Sequence, residues 1–253
     1  MEYIYPLLLG PFAQPRWKDI FIRLFLVALL TPFTLVGGIL IWPALCISTD
    51  NIGWYYQAQR IFLPFFCYLI GTWWLVPLLA RPFNTVPLPC SLDKEYPIVT
   101  RSYLTCLSNR NYVAKPVRDE LLQISKVFSR VEPKGTMYYM DTGFPIPMIP
   151  AFPNTSHRGG KTVALSFIWK DQAKIIPPPS PIGYGNDYGW VQTIFSNGEI
   201  HKAKSKKLLA FMAQNEHVKN IIIDKDLELT KANPERNKII DGSASDFFTL
   251  VFH

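Results

Sequence analysis

The chain has 253 residues, 49% of them hydrophobic and 14% aromatic, with a formal charge of +7. That length allows one domain of moderate size plus a further segment. The positive excess is not a nucleic-acid signature, because residues 86 to 253 carry 21 basic and 16 acidic side chains in mixed order. "HKAKSKK", His201 to Lys207, is the one basic run; it reads as a solvated helix face, with anionic headgroups as the alternative partner.

Charge is distributed unevenly. Leu24 to Ile47 is 24 residues without a charge, and Ile61 to Ala80 is a second apolar stretch. A bilayer core takes about 20 apolar helical residues, so two N-terminal transmembrane helices are expected, near 24–47 and 61–80. Pro32 and the Gly37-Gly38 pair would break a soluble helix but are tolerated in a spanning one. Residues 1–81 thus read as a membrane anchor in a lipid bilayer. Arg16, Lys18 and Arg23 precede the first span, and Arg81 and Lys94 follow the second. This count favours a cytoplasmic soluble domain. Cys90 and Cys106 read either as a disulfide or as two free thiols.

Residues 82–114 begin with four prolines between Pro82 and Pro97 and read as an extended linker. "KPVRDELLQISKVFSRV" places Leu121, Leu122, Ile124, Val127, Phe128 and Val131 on one stripe of an amphipathic helix, with Pro116 near its start. "GTMYYMD" is a short strand, and Gly143 to Pro153 a loop with four prolines. "KTVALSFIW" is expected as a central strand, and residues 172 to 190 as a long Pro- and Gly-rich loop. A helix from "EIHKAKSKKLLAFMAQNE" and strands from "VKNIIID" and "DFFTLVFH" complete the chain. The fold class is therefore α+β, two transmembrane helices followed by a mostly antiparallel sheet with helices.

His157, in "FPNTSHRGGKTVALSF", sits in a loop just ahead of a buried strand. This stretch resembles the Ser-x-His...Asp signature of the zinc peptidases that include D-Ala-D-Ala peptidases and penicillin-insensitive murein endopeptidases, with hedgehog signalling domains as fold relatives. "YYMDTGFPIPMIPAFPNTSHRGGKTVALSF" and "PSPIGYG" look like a membrane-anchored branch of that superfamily, the resemblance covering residues 115–253. It implies an α+β fold, a zinc ion held by three side chains, and hydrolysis of cell-wall peptides at a bacterial inner membrane.

The departures lie at the chemistry. Thr155 replaces the family's serine, with Ser156 adjacent. The metal-binding Asp expected seven residues after His157 is Ala164. The closing Asp-His-x-His pattern is matched by "DFFT": Asp246 fits, Phe247 stands at the catalytic-histidine position and Thr249 at the last ligand position. One imidazole is a poor zinc site, and phenylalanine moves no proton. Asp141 is a candidate acceptor for His157; His201, His217 and His253 are candidates for a relocated metal site. Ser156 or Ser166 would need a neighbouring base to act as nucleophile. Tyr184, Tyr188 and Trp190 could line a groove for a ligand.

These residues favour a catalytically inactive, membrane-anchored relative of zinc peptidases. It would need no cofactor and would bind a peptide, a cell-wall fragment or a protein partner. One alternative is an active membrane-bound metallopeptidase with a rearranged zinc site. Another is a membrane assembly protein with a docking domain.

Overall fold

The computed structural model describes residues 54–132, 135–150, 157, 159–172, 174–178, 198–224, 239–242 and 247–253, with six helical positions between 21 and 34. The chain divides into two units, Met1–Leu79 and Ala80–His253.

The first unit carries helix α1 (Trp54–Ile70), which runs through a π turn (Gly71–Leu75) into α2 (Val76–Ala80). Helix-forming residues in "YYQAQR" start it before the expected Ile61. Its stretch Phe62–Phe83 is 22 residues with a mean hydropathy of 1.7, about 33 Å of helix and enough to cross a bilayer core. Phe65, Phe66, Trp73 and Trp74 are all more than half exposed. Among the described residues this is the one helix long and apolar enough to span. The expected first span, 24–47, lies almost wholly outside the described residues, and of the expected pair only the second has a described helix long and apolar enough to cross.

Residues 82–114 are not a free linker. A 3-10 turn (Arg81–Phe83) ends at Asn84, whose left-handed backbone, φ 53°, reverses the chain. Strand β1 (Thr85–Pro87) then pairs antiparallel with β3 (Tyr112–Ala114), and β2 (Ile98–Thr100) joins the main sheet beside the strand Met137–Asp141. Between β2 and β3 lies the short helix α3 (Tyr103–Leu107), capped by the Ser102 hydroxyl. The prolines are accommodated because strand ends do not need every N–H. A disulfide joins Cys90 to Cys106, resolving the choice the sequence left open.

Helix α4 (Lys115–Val131) has Pro116 in its first turn and buries Val117, Leu121, Ile124 and Phe128. Its buried stripe is narrower than expected, since Val127 and Val131 are exposed. Strands β4 (Met137–Asp141) and β5 (Thr162–Ser166) join β2 in a six-stranded sheet with β9 (Val218–Asp224), β10 (Ile239–Gly242) and β11 (Phe247–Phe252), in which β5 and β11 are central. The order is β10-β9-β11-β5-β4-β2. The two outermost pairings are parallel and the inner three antiparallel.

The expected strand "KTVALSFIW" breaks after Ser166. The Ser166 hydroxyl donates to the Phe167 carbonyl and accepts from the Trp169 indole, while the Ile168 N–H is taken by Ser205. The chain leaves the sheet there and forms β6 (Trp169–Asp171), the centre of a small sheet with β7 (Lys174–Ile176) and β8 (Glu199–Ile200). Part of the expected 172–190 loop is therefore strand; residues 179–190 are outside the described ones. Helix α5 (Lys202–Gln214) starts after Ile200, which belongs to β8. Leu208, Leu209 and Met212 of α5 share one core with α4 and with Tyr139, Val163, Leu165, Ile221, Phe248 and Leu250. Strand alternation turns the intervening residues to the other face.

Candidate functional site

The strand register brings the sequence candidates together on that other face. Thr249 is the cross-strand partner of Ala164 on β5 and of Ile222 on β9, and Asp141 is Ala164's partner on β4. Ile222, Thr249, Ala164 and Asp141 thus form a row across four strands, with Phe247 opposite Ser166 in the next row. The register shifts between Tyr139 and Asp141, so Tyr139 packs in the main core while Met140 packs on Ala164. Such an irregularity re-aims the side chains that follow it.

His157 closes the site from its loop. It is 3% exposed, and its Nδ1 donates to the Thr142 carbonyl at 2.5 Å. A proton fixed on Nδ1 leaves the Nε2 lone pair as the acceptor or ligand atom. Burial pushes the imidazole below its ordinary value of 6.5; Asp141 and the Thr142 carbonyl oppose that shift, and Arg110 adds to it. The lowered value favours the neutral ring. The Asp141 carboxylate is 3.8 Å from Nδ1, so the Thr142 carbonyl orients the ring in place of the expected Asp141.

Asp141 has another partner, which sequence reasoning missed. Arg110, fully buried, donates from Nε to Asp141 Oδ1 at 2.9 Å and from Nη2 to Oδ2. This two-pronged geometry makes the pair charge-neutral as well as directional. The Arg110 guanidinium also lies 5.9 Å from the Phe144 ring centre. The backbone fixes it further: the Arg110 N–H donates to the Thr105 carbonyl, and the Arg110 carbonyl accepts from the N–H and hydroxyl of Thr142. Nothing in "SNRNY" sets this arginine apart from a surface one; only the fold delivers it to Asp141.

Gly160, close behind His157, has a structural role. Its φ is +65°, and an added Cβ would fall 2.8 Å from the Ala114 nitrogen. That close approach lets the Ala114 N–H donate to the Gly160 carbonyl at 2.8 Å.

The other candidates do not join this cluster. The Ser166 hydroxyl is committed to Phe167 and Trp169, which argues against a nucleophile. His201 caps α5, its Nδ1 accepting from the Lys204 N–H. His217 and His253 line a separate open cavity of about 370 Å³ with Glu120 and Phe252. Ser156, Tyr184, Tyr188, Trp190 and Asp246 lie outside the described residues. Among the described residues, no group of three His, Cys, Asp or Glu side chains could hold a metal ion.

The residues in the row do not fit zinc. His157 offers one lone pair, Ala164 none, Thr249 a neutral hydroxyl, and Asp141 is engaged by Arg110. Compared with known proteins, the chain matches no family model and no curated protein.

Proposed function

We propose that this is a membrane-anchored binding module related to zinc-dependent cell-wall peptidases that has lost catalysis. The observation that carries the reading is the direct cross-strand pairing of Ala164 with Thr249. These are the two positions at which the family resemblance requires ligands, and neither residue supplies one. A neutral imidazole with a fixed acceptor nitrogen suits recognition of a donor such as a peptide N–H. The ligand class is a peptide or a peptide-bearing cell-wall fragment.

The Cys90–Cys106 disulfide supports an oxidising compartment for the soluble unit. That is the opposite side to the one favoured by counting basic residues. It would bring the site to the compartment where cell-wall peptides are found.

The test is zinc content of the purified full-length chain by elemental mass spectrometry, after zinc incubation and gel filtration. The wild type should retain far less than one zinc per chain. Ala164→Asp with Thr249→His, which restores both ligand types, should retain markedly more. Stoichiometric zinc in the wild type would overturn this reading in favour of an active peptidase with rearranged ligands.

A further inference from the structure

The open cavity of about 370 Å³ lies within the second unit, between the first turns of α4 and the ends of β9 and β11. Its volume is in the range of small-ligand pockets, and His157 does not line it. The floor is apolar, because Val117 and Phe252 belong to the main core. The wall is polar, and its groups are held in place. The Asn215 amide donates to Glu120 Oε1 at 2.6 Å, and Asn215 Oδ1 accepts from the His217 N–H at 2.8 Å. The His217 carbonyl in turn accepts from the His253 N–H. One asparagine thus sets both the Glu120 carboxylate and the backbone of His217.

The second oxygen of Glu120 is the group left over. Oε2 stands 3.8 Å from His217 Nε2, beyond hydrogen-bond length, and takes no hydrogen bond from a described residue. Asp119, also on the wall, is already matched by the Lys115 ammonium at 2.6 Å. The unmet demand is therefore one positive charge at Glu120. Two acceptors 3.8 Å apart are both within reach of a single ammonium nitrogen about 2.9 Å from each. A neutral His217 with its proton on Nδ1 offers the lone pair needed at Nε2. A metal ion fits less well, since Glu120 and His217 give two ligands and no described group of three His, Cys, Asp or Glu side chains completes a site. The apolar floor favours a cation carried on a carbon stem over a hydrated inorganic one.

We propose that this cavity binds an aliphatic primary amine, its ammonium between Glu120 Oε2 and His217 Nε2 and its stem against Val117 and Phe252. A free alkylamine and the side chain of a peptide lysine present the same head and stem. Neither His157 nor the apolar helix takes part in this seat.

The full-length protein in detergent is labelled with carbon-13 at histidine Cε1. Its 4 histidines give separate ring signals, and His217→Asn identifies the one that matters. At constant pH, n-pentylammonium chloride should shift the His217 signal saturably and leave those of His157 and His201 in place. 1-Pentanol carries the stem without the charge, and sodium chloride the charge without the stem; neither should reproduce the shift. Glu120→Gln keeps the shape of the side chain and an acceptor for Asn215, and should weaken pentylammonium binding about tenfold or more. Glu216 is also 3.8 Å from His217 Nε2 but is almost wholly exposed and off the cavity wall. Glu216→Gln should therefore change the affinity by less than about twofold.

N-acetyl-lysine methylamide separates the two sources. Binding at least as tight as that of pentylammonium marks a polypeptide lysine as the ligand, whereas weaker or absent binding marks a free amine. No saturable shift of His217 with either amine overturns the proposal. So does an equal shift with pentanol or sodium chloride, which the wild type alone can show. Equal losses in the two glutamate variants, or none in Glu120→Gln, would also overturn it, since the charge would then not be read at Glu120.

Discussion

Arg110 and Asp141 are a charge pair removed from water, and the chemistry of such pairs is asymmetric. Together they cancel; singly each is an uncompensated buried ion. Arg110→Met should therefore cost about 3–5 kcal/mol, whereas Arg110→Met combined with Asp141→Leu should lose much less. Denaturant unfolding of the full chain in detergent, read as a double-mutant cycle, would check this. His157 makes a second, pH-dependent prediction. Its folded value is depressed, so below the unfolded value of about 6.5 the unfolded state binds the extra proton. Its contribution is present in full above that value and is lost as pH falls toward the folded value. Unfolding at pH 8 and pH 5 should show a destabilisation on acidification that His157→Asn reduces. At this scale the sequence was half legible. His157 stood out because a histidine in a loop just ahead of an apolar strand is the placement of a first metal ligand in the signature its stretch resembles. Arg110 did not, because burial of an arginine is decided by a partner about 30 residues away.

The elements that organise the site are short, and long-range contacts hold them. Cys90 lies after β1 and Cys106 within α3, and hydrogen bonds reinforce the link. The Asn111 amide donates to the Leu88 carbonyl and the Tyr139 hydroxyl to the Pro89 carbonyl. Breaking the disulfide with Cys90→Ser and Cys106→Ser should cost about 3 kcal/mol, as expected for a loop of this length. Thermal unfolding with and without reductant is the check: reductant should lower the wild-type midpoint and leave the double variant unmoved. Helix α4 was legible in its bounds because one strong apolar period covers all of it. The 82–114 segment was misread for the opposite reason. Proline density is a local signal, whereas β1 and β2 exist because β3 and β4 supply their hydrogen bonds. The break at Ser166 was equally hidden, since it depends on hydroxyls satisfying backbone groups and not on a turn residue.

For the whole molecule, an apolar helix, a mixed sheet and a disulfide must be reconciled with one orientation. Composition made the α+β class readable, and also one helix long and apolar enough to cross a membrane. The register that aligns Thr249, Ala164 and Asp141 was not, because pairing of strands distant in sequence leaves no local trace. On the proposed membrane-anchored reading, the disulfide favours an oxidising side for the second unit, against the count of basic residues. An impermeant protease added to sealed spheroplasts should cleave the soluble unit; protection until the membrane is opened would assign it to the cytoplasm.

The disulfide has a further consequence for anyone handling the protein. A polypeptide of identical sequence made in a reducing cytosol would leave Cys90 and Cys106 as thiols, and the segment leading to Arg110 would lose its clip. Two batches indistinguishable by sequence could then differ in how firmly they hold the buried ion pair. The provenance of a sample, as much as its purity, would decide whether the site beside His157 is in its native form.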